Sequence, residues 1–247
     1  MGLLLGSFLN VVIYRLPRGE SVILPTSHCP HCNHQIRPWE NIPVISYLYL
    51  RGKCSSCKSG ISLQYPLVEI LTGLVFYLTY YKYGLSWDLV LFSLFGALLI
   101  AIAFIDIHHM IIPDSMIIIG LIPGFYQWIT RGHDVFISQI TGLVGLGFAF
   151  LLIRLVGTRV FKREAMGLGD VKFAAMAGWV QGWSISIVSM FLAFLSATLL
   201  FTLLIPIGVI KRKQQVPFGP FLCLGIWLGS MWGREIIDWY LTLFIAL

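Results

Sequence analysis

Beyond residue 62 the chain is a succession of apolar stretches, most of them close to span length, broken only at Gly, Pro or charged residues. Such a stretch, wound as a helix of about 20 residues, matches the hydrocarbon thickness of a bilayer. In lipid every backbone N–H and C=O needs a partner, which leaves helices or closed barrels. The strict alternation of barrel strands is missing, so the stretches read as helices. Hydrophobic residues make up 57% of the chain and charged residues 11%, with mean hydropathy +0.84, outside the range of soluble domains. The expected fold is an all-α polytopic membrane protein.

The spans are expected at 2–14, 63–81, 87–107, 111–129, 135–157, 168–181, 184–208 and 218–246, about eight transmembrane helices. The first is only 13 residues long and runs straight into Arg15-Leu-Pro-Arg18. No basic segment precedes it and no small-residue cleavage site follows, so it reads as a helix rather than a signal peptide. The last is too long for one untilted crossing and carries Arg234, Glu235 and Asp238, which suggests a helix with an interfacial tail. The net charge of +6 resides mostly in loops. That distribution speaks for topology, with membrane lipid and not nucleic acid as the partner. The segment 15–58, the Arg159/Lys162/Arg163 group and Lys211-Arg-Lys213 are expected on the cytoplasmic side. Three parts follow: a short first helix at 1–14, a polar module at 15–61, and a membrane domain at 62–247.

The polar module carries Cys29-Pro-His-Cys32 and Cys54-Ser-Ser-Cys57, separated by 21 residues. Each CxxC turn can present two thiolates to one tetrahedral ion, and a cytoplasmic, reducing location favours metal over disulfides. Cys29, Cys32, Cys54 and Cys57 are therefore expected to bind a structural zinc ion between helices one and two. The alternative is a pair of disulfides on an oxidising side. His31 and His34 read as solvated loop residues, and Cys223 as a buried, inert thiol in a late span.

Two acids stand at the edges of spans, Asp106 in Phe104-Ile-Asp-Ile-His-His-Met-Ile-Ile-Pro-Asp114 and Asp170 in Gly167-Leu-Gly-Asp-Val-Lys172. An ionisable group there is a functional-site hypothesis once a partner is named. Each can partner the other, because two carboxylates sharing one site cannot both ionise cheaply and so divide into acid and base. Gly167 and Gly169 let backbone and ligand approach Asp170. The competing readings are a solvated helix-end carboxylate near His108 or His109 for Asp106, and an ion pair with Lys172 for Asp170. Asp114, after Pro113, suits a helix N-cap, whereas no capping duty explains Asp106. Glu69, in Tyr65-Pro-Leu-Val-Glu69, has an ion pair with Arg15 or Lys58, or a substrate contact, as its readings.

In that order these motifs resemble the type IV prepilin peptidases, bifunctional leader peptidases and N-methyltransferases of bacterial inner membranes. Gly6-Ser-Phe-Leu-Asn-Val-Val-Ile-Tyr-Arg-Leu-Pro17 is similar to the family's N-terminal signature. Cys29 to Cys57, with Trp39, Asn41-Ile-Pro43 and Leu50-Arg-Gly-Lys-Cys54, is similar to its cysteine domain, and Tyr65 to Glu69 matches as well. Gly167-Leu-Gly-Asp170 resembles the GxGD motif of intramembrane aspartic proteases. The resemblance implies that Asp106 and Asp170 are catalytic, with Asp114, Gly167, Gly169, Lys172 and Glu69 supporting the motifs. It implies cleavage of the basic leader of prepilins and pseudopilins after a glycine at the cytoplasmic face. It further implies methylation of the new N-terminal residue, commonly Phe, from S-adenosylmethionine, with the module at 15–61 as methyltransferase region.

The resemblance departs at the start, where members carry more apolar residues before Gly6-Ser7, which implies a shortened beginning. No glycine-rich Rossmann fingerprint is present, so the methyl donor enters by resemblance alone. The alternatives are a peptidase whose zinc module only docks substrate, a proton-relay transporter using Asp106, Glu69 and Asp170, and a non-enzymatic scaffold.

Overall fold

A computed structural model describes residues 1–162, 164, 166–208 and 216–245. Arg163 and the Lys211-Arg-Lys213 group lie outside the described residues. The chain forms two compact units, Met1–Ala101 and Ile102–Leu247. Helices dominate both, and the described residues hold no strand beyond two isolated bridges.

The first unit contains α1 (Gly2–Arg15), the short α2 (Ile45–Tyr49), α3 (Gln64–Tyr83) and most of α4 (Trp87–His109). α1 packs along α3, closely enough that a Cβ added at Gly6 would fall 2.6 Å from the Glu69 Cα. Between α1 and α3 the chain is mainly turns and short 3-10 segments, with only Cys29, Pro43 and Cys54 buried between residues 16 and 61. A segment with so few buried apolar groups has no core of its own to hold it together.

The second unit contains the end of α4, then α5 (Asp114–Gly120), α6 (Ile122–Arg131), α7 (His133–Phe161), α8 (Leu168–Leu204) and α9 (Gly219–Ile245). α8 packs against both α7 and α9. The expected span at 111–129 is divided into α5 and α6 at Leu121, next to Pro123, whose ring allows no helical N–H there. The two expected spans at 168–181 and 184–208 are continuous except at Gly182, whose φ of 71° lies in the left-handed region.

Helix breaks in apolar surroundings free backbone carbonyls that need donors. Side chains donate to carbonyls near both breaks. Gln127 Nε2 donates to Val180 O at 2.9 Å beside the Gly182 break. Trp179 Nε1 donates to Leu121 O at 3.1 Å, and Gln139 Nε2 to Gly124 O at 2.9 Å, both around the α5–α6 break. Two of the polar side chains that look out of place in apolar spans, Gln127 and Gln139, thus find carbonyl partners near the breaks.

Three helices, α4, α7 and α8, are long and apolar enough among the described residues to cross a membrane. Only 17% of the most apolar window of α7 is buried within the protein, and Val144 and Phe148 are largely exposed along it. An apolar face of that extent is stable in lipid and unstable in water. α1, at 14 residues, spans only about 21 Å.

Candidate active site and metal centre

The end of α4, the connection to α5 and the start of α8 enclose a cleft of about 270 Å³ in the second unit. Asp106, Met110, Ile111, Ile112, Asp114, Gly167, Leu168, Gly169 and Asp170 line it. α4 ends because Met110 turns into the left-handed region at φ 53°, its N–H bonded to Asp106 O at 2.9 Å. Pro113, in extended conformation, starts α5. Gly169 sits against Ile112, where an added Cβ would fall 3.3 Å from the Ile112 Cβ.

Asp106 is buried, 6% exposed, and Asp170 is partly exposed. Asp106 lies within electrostatic reach of Asp170. Asp106 Oδ2 accepts the N–H of Gly219 at 2.8 Å. Gly219 is the first residue of α9, so Asp106 places a carboxyl oxygen at the positive end of that helix and satisfies one of its free N–H groups. Cys223, one turn further along α9, is buried within the electrostatic reach of both carboxylates.

Capping therefore runs opposite to the expectation. Asp114 is the first residue of α5 and makes no side-chain cap bond, whereas Asp106, separated from its partner by 113 residues, caps α9. Lys172 pairs with Asp114 and not with Asp170: its Nζ lies 2.8 Å from both Asp114 oxygens. The pair joins α5 to α8 at the cleft. Both partners are more than half exposed, which limits its net worth to about 1 kcal/mol or less.

Gly219 was not legible as a site residue. The turn signal Phe218-Gly-Pro220 marks a helix start, but nothing local says whose carboxylate will meet it. An added Cβ there would fall 2.5 Å from Asp106 Oδ2 and 2.8 Å from its Cγ. Gly219→Ala is expected to displace the Asp106 carboxylate and lower kcat for the reaction at this cleft by about a hundredfold, the cost of an ångström-scale misplacement. A rate within twofold of the parent in a purified-enzyme assay would separate Gly219 from the chemistry.

In the first unit the four predicted cysteines converge. Their sulfurs all lie within 4.8 Å of one another, with Cys29–Cys57 at 3.9 Å and Cys32–Cys54 at 4.0 Å. A tetrahedron of thiolates with bonds of about 2.3 Å has S···S edges of about 3.8 Å, so the donor set fits zinc. All four are free thiols, too far apart for disulfides. Two matching turns build the site. Cys29 N–H bonds His34 O and Cys54 N–H bonds Ser59 O, and Asn33 and Lys58 turn the chain at φ 55° and 61°.

Hydrogen bonds from the Ser59 hydroxyl and N–H bring the Cys57 thiol down to about 6. Cys32, although the His34 N–H favours its thiolate, is pushed up to about 11 by burial and by the other three thiols. A divalent cation would relieve that crowding and let all four deprotonate. His34 is not a ligand: it lies 3.3 Å from Glu40, whose carboxyl is held low chiefly by the Arg37 N–H.

Glu69 belongs to neither set. It is 7% exposed and accepts the Val44 N–H at 2.7 Å, and neither Arg15 nor Lys58 pairs with it.

Residues 1–83 match the Bacterial Peptidase A24 N-terminal domain and residues 93–203 the Type IV leader peptidase family. A prepilin leader peptidase/N-methyltransferase of Stutzerimonas stutzeri is 36% identical over 98% of this chain and 91% of its own length. The protein of that name in Pseudomonas aeruginosa is 35% identical over the same shares. One from Myxococcus xanthus is 42% identical over 74% of this chain and 55% of its own length. No solved structure matches.

Proposed function

The chain belongs to the type IV leader peptidase family, and from that premise we propose that it is a membrane-bound aspartic endopeptidase with N-methyltransferase activity. It removes the basic leader of prepilins and pseudopilins at the cytoplasmic face of a bacterial inner membrane, then methylates the new N terminus. The observation that carries the peptidase half is the presence of Asp106 and Asp170 in the lining of one cleft.

In that cleft the ionised member of the pair takes a proton from water as the water attacks the scissile carbonyl. The protonated member gives a proton to the carbonyl oxygen. Two coupled acids titrate as a unit, so one proton shared between them supplies both roles. The Gly219 N–H fixes Asp106 Oδ2, which leaves Oδ1 to face water or substrate. The apolar part of the substrate lies among about eight membrane helices and its leader in the cytoplasm.

Cys29, Cys32, Cys54 and Cys57 would hold the zinc ion. When bound it supplies folding energy and, with four thiolates around it, keeps no open position for catalysis. The organisation proposed is a first helix at 1–14, the zinc module with the methyltransferase region at 15–61, and the peptidase domain at 62–247. The methyl group comes from S-adenosylmethionine, as the relatives' shared name supports. The test is incubation of the purified chain with a model prepilin and S-adenosylmethionine, followed by mass analysis of the mature N terminus. Loss of the leader with a further gain of one methyl mass is expected, and an intact leader overturns the reading.

A further inference from the structure

A buried carboxylate in a helix is stable only with donors around it. Glu69 in the first unit has few. α1 packs on α3 at Gly6 and Glu69, and the polar groups of that neighbourhood are Ser7 and Asn10 on α1, Asn41 and Val44 in the connection, and the Tyr65 carbonyl one turn before Glu69 on α3. The Val44 N–H reaches Glu69 Oε2 at 2.7 Å. The Ser7 hydroxyl, which favours the Glu69 carboxylate, donates its one proton to Asn41 Oδ1 at 3.4 Å. Asn10, 4% exposed, donates through Nδ2 to Gly6 O at 3.3 Å and Tyr65 O at 3.2 Å. Two carbonyl partners fix the orientation of that amide. Its Oδ1 is buried and has no hydrogen-bond partner.

The cluster is therefore rich in acceptors and short of donors. The nearest base along α1, Arg15, is turned to Ser21 O at 3.0 Å. Val44 meanwhile holds φ 63° and ψ −47°, a conformation that a β-branched residue adopts only when its surroundings impose it. Asn41 is exposed and Ser7 partly so, and they join the carboxylate to the surface. The group such a site accepts carries several N–H donors and a positive charge.

We propose that Glu69, Asn10 and Asn41 form the binding site for a primary ammonium, and that its occupant is the new N terminus of the cleaved substrate. This rests on the methyl-transfer half of the function proposed above. An α-amine, with an ordinary pKa near 8, arrives largely protonated and cannot attack until it loses a proton. Glu69 takes that proton. The nitrogen lone pair then forms the N–CH3 bond as the S–CH3 bond of the sulfonium donor breaks, its electron pair leaving with sulfur as a neutral thioether. Glu69 thus contacts the reacting nitrogen in this unit, while the peptidase carboxylates belong to the other.

The probe is a synthetic peptide that begins with Phe and continues with an apolar stretch, prepared with a free and with an acetylated N terminus. Both are titrated against the full chain in lipid nanodiscs, with and without S-adenosylmethionine. The parent protein is expected to bind the free-amine peptide at least about tenfold more tightly, the worth of a hydrogen bond to a charged group. Glu69→Gln, which keeps the shape and the Val44 bond, is expected to erase that preference. It leaves the acetylated peptide and the methyl donor binding as in the parent, and lowers methyl transfer about a hundredfold. Asn41→Ala, at an exposed position that cannot unfold the chain, is expected to weaken only the free-amine peptide, by about two- to fivefold.

Equal binding of the two peptides by the parent protein overturns the proposal, as does a Glu69→Gln variant that keeps the preference or loses the methyl donor instead. A parent protein that prefers the free amine but adds no methyl group supports the ammonium site and overturns the methyl-transfer reading alone.

Discussion

Asp106→Asn and Asp170→Asn are each expected to lower cleavage of a model prepilin by at least about a thousandfold, within the range that removal of a positioned acid or base produces. The asparagine keeps the volume and can accept the Gly219 N–H through its carbonyl, so the loss reports proton transfer and not packing. The double variant is expected to be no worse than either single one, because two groups that act as one unit fail together. The measurement is the initial rate of leader removal in detergent, read by mass, with the melting temperature of each variant taken alongside. If both single variants cleave at the parent rate and melt normally, the aspartic mechanism is wrong. Leader removal is then the work of other groups of the chain, and a proton-relay or scaffolding role is what is left for Asp106 and Asp170.

Removal of the metal is the second large effect. Between residues 16 and 61 only Cys29, Pro43 and Cys54 are buried, so the cysteine cluster stands where a hydrophobic core would be. Structural zinc contributes an apparent 10–16 kcal/mol or so to small domains of this kind, more than such a segment has from any other source. Metal analysis of the purified chain is expected to give about one zinc per molecule. Chelation, or Cys54→Ser, is expected to make residues 21–61 susceptible to limited proteolysis while the helices of the second unit stay protected. If the module resists protease equally well without metal, its fold rests on something other than the four sulfurs. If the metal-free chain cleaves prepilin but adds no methyl group, methyl transfer depends on the module.

The helices and the metal site were legible because both signals are local. Hydropathy over about 20 residues reports the need to bury or lipid-expose a helix, and two CxxC turns each set two sulfurs on one side of a loop. The break at Gly182 was legible from the glycine, although the sequence does not tell an interrupted span from two spans, whereas the break beside Pro123 falls inside what reads as one span at 111–129. Asp106 carries a capping duty that its local sequence does not reveal. Asp106 does cap a helix, and Asp114 does not, because a cap can come from a residue distant in sequence. What places Asp106 with Asp170 is the cleft they share.

The sequence by itself determined that polar groups in apolar spans must be partnered, since an unpaired carboxylate or amide there costs several kcal/mol, about the size of the whole stability of a domain. It determined the helical architecture, the four cysteines that converge and the two acids worth pairing. Only the tertiary structure decided who meets whom: Asp106 with Gly219 across 113 residues, Lys172 with Asp114 across 58, Glu69 with Val44 across 25. The reason is physical. Desolvation acts on each residue where it stands, and so can be read locally, but the donor that relieves it is delivered by the packing of whole helices.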